Sequence, residues 1–199
     1  MNVKATLRRG VLWAAIAAGA VAPANATTMI RQSLDDLTGS SSRIVVGDVL
    51  ETHSYWNQDG THILTDVRFV ASEVLKGDLG DLDFTITLPG GWVGDQGIVF
   101  VGGAELIQGR SYLLFLNETR MPGGARALTV RDFVQGAFDL GRGPGGTRAV
   151  SQAVRHPLLS DRAGQVEPPG GREGMPYEAL VGSIREIVER QGGSRREVQ

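Results

Sequence analysis

Cysteine is absent from the 199 residues. Its absence removes disulfides, thiolate catalysis, cysteine metal sites and the lipidated cysteine that tethers a bacterial lipoprotein. An excess of one charge is missing too: 20 Lys+Arg stand against 22 Asp+Glu, a net charge of −2. With no basic stripe along the chain, nucleic acid is a poor partner. Beyond the N-terminal segment no apolar run approaches the roughly 20 residues of a membrane-spanning helix. Catalytic signatures are missing as well. There is no H-E-x-x-H, no G-x-S-x-G and no Walker loop, so the expectation is a non-enzymatic chain without a cofactor.

Glycine, in contrast, is abundant, at 28 residues, which suits a strongly turned β protein. The chain opens with a basic n-region (Lys4, Arg8, Arg9), an apolar stretch "VLWAAIAAGAVA" (11–22) and the small residues "ANA" (24–26). Together these read as a signal peptide over 1–26, taken by the general secretory route, with the mature chain starting at Thr27. Export places the protein in the periplasm or outside the cell. Cleavage leaves 173 of the 199 residues, enough for one domain that buries its core without disulfides.

The mature part begins with a helical pattern, "MIRQSLDDLTGSS" (29–41), in which Ser33 and Asp36 approximate a capping box. The period then changes to two. "RIVVGDVLETHSYW" (43–56) reads as a long strand bent at Gly47, and Asp59-Gly60 signals a two-residue hairpin turn. "HILTDVRFVASEVL" (62–75) is the return strand, and Lys76-Gly77-Asp78 ends it as a turn with Lys76 solvated. A strand at 82–89, a glycine-rich loop "GGWVGDQG" (90–97), an apolar run "IVFVGGAELI" (98–107) and a doubly buried strand "SYLLFLN" (111–117) follow. Two short strands lie within 125–141 and another in 147–154. The expected domain thus covers 27–155. A Gly/Pro-rich linker (156–175), an amphipathic helix (176–191) and a frayed tail (192–199) complete the chain. The helix docks on the sheet or on a partner.

The succession of helix, "IVVGDV", hairpin, "VLKG" and "GRSYLLFL" over roughly residues 34–140 is similar to the netrin-like, OB-fold domain of tissue inhibitors of metalloproteinases. It also resembles a group of exported bacterial proteins with the same layout. The resemblance implies a mainly β, small OB-fold-like antiparallel barrel with a short N-terminal helix and a C-terminal amphipathic helix. It further implies a protein partner, with a secreted metalloprotease the most specific candidate. Animal inhibitors hold the protease zinc through an N-terminal cysteine. Here Thr27-Thr28 stands in that place, so that mechanism does not carry over.

A two-residue turn at Asp59-Gly60 pairs His53 with Asp66, Tyr55 with Leu64 and Asn57 with His62. The resulting polar face either gathers His53, His62 and Asp66 around a metal or is the wet side of an antiparallel ribbon, and the ribbon reading is preferred. Trp92, in the glycine loop, is either a contact anchor or a lid over the core. The expected partner surface therefore comprises Thr27, Thr28, Asn57, Asp59 and Trp92. The alternative function is a structural, matrix or cell-envelope module that assembles through the C-terminal helix. A third is a hydrolase with an unrecognised site.

Overall fold

The computed structural model describes residues 31–155 and 170–196. The expected leader, Thr27 and Thr28, the segment 156–169 and the last three residues lie outside them. Helix α1 (Leu34–Ser40) starts at the expected cap: Ser33 Oγ accepts from the Asp36 N–H at 3.0 Å and donates to the Asp36 carboxylate at 2.6 Å. One otherwise orphaned first-turn donor is thereby satisfied. The strands are β1 (Arg43–Trp56), β2 (Ile63–Lys76), β3 (Asp83–Pro89), β4 (Gly91–Val93), β5 (Gln96–Ile98), β6 (Ser111–Arg120), β7 (Arg126–Val130), β8 (Ala137–Gly143), β9 (Gly146–Ser151) and β10 (Met175–Pro176). Helix α2 (Tyr177–Arg196) follows.

Eight strands form one antiparallel sheet in the order β10-β9-β8-β6-β1-β2-β3, with β7 also paired to β6; β4 and β5 make a separate ribbon. The first strand turns the sheet. Its residues 43–48 pair with β6, while nearly its whole length pairs with β2 through register shifts, one of them between Val46 and Gly47. At Gly47, where a bulge or bend was expected, the ladder is irregular: Val46 faces Glu73 and Gly47 faces Ala71, which leaves Ser72 of β2 as the extra residue.

The sheet is open. β3 and β7 approach within 8 Å between Cα atoms but share no ladder, so a hydrogen-bonded barrel is absent among the described residues. One edge of β6 pairs with β1 and the other is shared, residues 111–114 with β8 and 116–120 with β7, so the sheet runs outward through β8, β9 and β10 while β7 approaches β3 without pairing to it.

Alternation along β1 and β6 sends side chains into two cores. Val45, Val49, Tyr112, Leu114 and Leu116 join Val67, Phe69 and Ile86 on one face. Ile44, Val46, Leu113 and Phe115 meet Leu37, Phe138 and the α2 residues Leu180, Val181 and Ile184 on the other. Phe115 and Phe138 pack with ring centroids 5.9 Å apart. Full burial of each such side chain contributes about 1.5–3 kcal/mol. The run "SYLLFLN" is thus buried on both faces.

Of the two expected docking places, the sheet or a partner, helix α2 packs on the sheet. It continues to Arg196, past the expected end at 191, and a 3-10 turn at Gly171–Glu173 leads into β10. Tyr177 donates to Glu73 Oε2 on β2 at 2.7 Å, and Arg185 reaches the other carboxylate oxygen at 2.5 Å. Burial first, then the hydrogen bond and charge of Glu73, hold the Tyr177 phenol well above its ordinary value of 10.0. A raised phenol pKa gives stability that is complete below the unfolded value and is lost as pH rises toward the folded one. Unfolding by urea should therefore become easier above about pH 10. Tyr177→Phe should lessen that alkaline loss while costing about 1 kcal/mol at pH 7. Tyr55 and Tyr112, whose phenols are also raised, contribute in the same direction.

The Lys76-Gly77-Asp78 turn is architectural, but Lys76 is not solvated as expected. Its ammonium donates to the Thr38 carbonyl at 2.5 Å and the Gly39 carbonyl at 3.3 Å, closing the C-terminal end of α1, where a cation is favoured. Gly77 has φ +81°, and a Cβ there would stand 2.3 Å from the Ser42 carbonyl oxygen. Asp78 offers its carbonyl to Arg43 Nε at 2.8 Å. Helix, first strand and return strand are pinned together at this point.

Candidate functional site

The hairpin β1–β2 has the expected register: His53 faces Asp66 and Tyr55 faces Leu64, and Asn57 N–H donates to the His62 carbonyl at 2.8 Å. Its tip differs. Gly60 N–H donates to the Asn57 carbonyl at 2.9 Å and Gly60 is left-handed (φ +64°), so the turn spans 57–60 rather than two residues. The index sum of the pairing is the same for both turns, which is why the register follows from either.

Asn57 is buried, and its side chain holds the loop: Oδ1 accepts from Thr61 N–H at 2.9 Å and His62 N–H at 3.1 Å. Among the expected partner-binding residues it has an internal role. Asp59 stands exposed at the tip. Asp66 accepts from Thr87 Oγ1 at 2.7 Å and from the Tyr55 hydroxyl at 3.2 Å. His53 stacks on Tyr55 at 6.2 Å, and His62 Nδ1 lies 2.9 Å from Thr61 Oγ1. The two histidines are four residues apart along the ribbon, roughly 13 Å at strand spacing. Among the described residues no three His, Asp or Glu side chains gather as metal ligands.

The exposed chemistry lies elsewhere. The glycine-rich segment folds as the β4–β5 ribbon, with Trp92 opposite Gly97. The ring lies across that glycine, where a Cβ would come 2.6 Å from it, and is 67% exposed. Trp92 does not lid the core. Directly after β5 the apolar run leaves the sheet: Val99 is 76% and Val101 64% exposed, with Phe100 and Ile107 partly so. Leu106 turns inward to the first core.

Phe133 extends this surface. Asp132 and Phe133 are consecutive left-handed residues, φ 47° and 59°, each costing about 1–2 kcal/mol relative to ordinary backbone. The turn is held by Arg131 N–H to the Phe115 carbonyl at 2.8 Å, Val134 N–H to the Gly102 carbonyl at 3.0 Å and the Arg131–Asp132 ion pair at 2.9 Å. What the strain achieves is an outward aromatic ring, stacked on Phe100 with centroids 5.3 Å apart.

Beneath the segment lies a cavity of about 410 Å³, bordered by Val99, Phe100, Ile107, Val134, Asp139 and Gln152. Its polar floor is internally paired. Gln152 Nε2 donates to the Glu105 carbonyl at 2.8 Å and to Asp139 Oδ1 at 2.9 Å, and its Oε1 accepts from Glu105 N–H at 2.9 Å. Ile107 N–H donates to the Tyr112 hydroxyl at 2.9 Å, and burial pushes the Tyr112 phenol up. Sequence reading singled out Trp92 here but not Val99, Val101 or Phe133. An apolar run read by period alone is a core strand; its exposure is decided by the turn at Gly102.

Among the described residues no helix is long and apolar enough to cross a membrane. The chain matches no protein-family model, and no curated protein is significantly similar to it.

Proposed function

We propose that this chain is an exported, non-enzymatic domain that binds another protein through its apolar end, formed by the β4–β5 ribbon, residues 99–101 and Phe133. The supporting observation is the exposure of Trp92, Val99 and Val101 beside the Phe100–Phe133 stack. Apolar clusters left in water at one end of a domain mark interaction surfaces. Backbone strain concentrates where function needs it, and here it turns an aromatic outward. In this reading the leader is removed at 26, and β1, β2, β3, β6 and β7 form a partly open OB-fold-like barrel with the β3–β7 seam unpaired. The resemblance to metalloproteinase inhibitors makes a secreted protease the first partner to try.

Trp92→Ser with Val99→Ser and Val101→Ser should weaken capture of that partner by about 100-fold, because aromatic and apolar anchors dominate such interfaces. The same variant should keep stability within about 0.5 kcal/mol, as exposed positions do. Equal binding by the variant and the parent chain would sink the proposal. A retained protease whose activity falls on binding would add inhibition to the reading; unchanged activity would remove inhibition and leave binding.

A further inference from the structure

The β4–β5 ribbon offers a partner more than apolar side chains. Its strands are joined by the two-residue loop Gly94-Asp95, with Gly94 left-handed at φ +58°. In such a hairpin the closing pair, Val93 and Gln96, exchanges both backbone hydrogen bonds, and so does the pair two residues on, Gly91 and Ile98. Gly97, between them, therefore directs its N–H and C=O away from β4. Val99, two residues later, repeats that orientation. Neither Gly97 nor Val99 forms a hydrogen bond with a described residue outside the ribbon. The chain turns away directly afterwards, where Gly103 N–H donates to the Phe100 carbonyl at 3.0 Å.

This edge carries none of the devices that keep strand edges from pairing. Residues 96–101, "QGIVFV", contain no charge and no proline, and Val99 and Val101 are exposed β-branched residues. The ends of the main sheet differ. β3 lies against β7, and β10 is only two residues long, one of them Pro176. Side chains reinforce the contrast. Trp92 faces Gly97, and residues two apart share a face, so Trp92, Gly97 and Val99 lie on one side of the ribbon. Trp92 and Val99 are largely exposed there, and the Trp92 ring fills the space over Gly97.

We infer that this edge takes an extended segment of the partner protein as an added β-strand, paired through its backbone to Gly97 and Val99. Outward N–H and C=O groups repeating every second residue are matched by another extended backbone. A helix cannot match them, because its backbone groups are bonded within itself. The segment's alternate side chains land on the Trp92–Val99 face, so apolar residues at i and i+2 are what it presents. A second copy pairing here would match only residues 96–99 on each side, against the roughly 20–30 residues a side of a stable interface. A partner can cover this edge and the neighbouring Phe100–Phe133 stack together. The assignment rests on the protein-binding reading of the same end of the molecule and names the form in which the partner binds.

The test is selection of phage-displayed random dodecapeptides on the chain from Thr27. The best peptide is then synthesised and titrated beside copies N-methylated at one residue at a time. The expected result is enrichment of peptides with apolar residues at alternate positions. N-methylation should weaken binding about tenfold at every second residue of the binding stretch and little at those between. Val99→Pro keeps an apolar side chain but removes the N–H, and should cause a similar loss. Val99→Thr keeps the N–H and should bind within about threefold of the parent. Should Val99→Pro fail to fold, the N-methyl scan on the parent chain decides alone. Binding that ignores N-methylation, yet is lost with the Trp92/Val99/Val101 serine variant, would overturn strand addition and leave the apolar-end reading intact. A parent chain that dimerises in sedimentation, while Val99→Pro stays monomeric, would give the edge to a second copy and overturn the partner segment. No enrichment at all would overturn it too, while capture of whole proteins judges the protein-binding reading separately.

Discussion

Gly47→Ala is expected to unfold the protein or to cost about 4 kcal/mol or more, well beyond the usual range for a single methyl group. A Cβ at this position would lie 2.0 Å from the Val70 carbonyl oxygen and 2.8 Å from both Ala71 Cα and Phe69 Cε1. Two of these three neighbours are backbone atoms of the paired strand, so no rotamer change relieves the clash. The strands must separate at a register shift where β1 is paired with β6 on one edge and β2 on the other. Both cores depend on that crossing, because Val45 and Val46 enter opposite sides immediately before it. Urea denaturation followed by circular dichroism measures the effect. Gly182→Ala is the matched control: it lies in α2 with nothing within 4 Å of the added carbon, and should raise stability by about 0.5–1 kcal/mol.

Ile184→Asp is the second large effect. Ile184 is fully buried between α2 and the sheet with Leu180 and Val181. The change forfeits about 3 kcal/mol of burial and places a carboxylate where no partner exists to offset its desolvation. Loss of 4 kcal/mol or more, against a typical total of 5–15, follows. The result bears on function, because a C-terminal helix that mediated self-assembly would present this face to another copy. Within the fold that face is already covered by Ile44, Leu113, Phe115 and Phe138. Ile184→Asp should therefore lower stability equally at all protein concentrations. Stability that depends on concentration in the parent chain and becomes concentration-independent in the variant would instead favour assembly through α2.

Much of the fold was legible because its signals are local. The Ser33 cap, the Asp59-Gly60 region, the ladder irregularity at Gly47 and the double burial of residues 111–117 each follow from short-range chemistry. The pairing of His53 with Asp66 needed only arithmetic on a turn. What was not legible depends on contacts distant in sequence. Lys76 reads as solvated until α1, 38 residues away, is placed against it. Closure of the sheet depends on whether β7 pairs with β3, a contact between distant segments that no periodicity encodes. The end of α2 was set too early because Gly192 and Gly193 break helices by propensity, a weak preference that the preceding docked turns override.

The candidate site was half visible. Trp92 stood out as an aromatic among glycines, whereas Val99 and Val101 lay in an apolar run with no assigned role and Phe133 in a stretch read as two short strands. Only the left-handed pair Asp132–Phe133 and the exit of the chain at Gly102 turn them outward. Asn57 erred in the other direction: a polar residue at a hairpin tip looks available, yet its amide is the brace of that tip.

The most direct measurement is hydrogen exchange on the chain from Thr27, alone and with any protein that it captures. The account predicts new protection over 91–101 and around residue 133, with amides of α2 and of the His53–Asp66 face unchanged. Protection confined to α2 or to the His53–Asp66 face, with 91–101 exchanging as in the free chain, would contradict it.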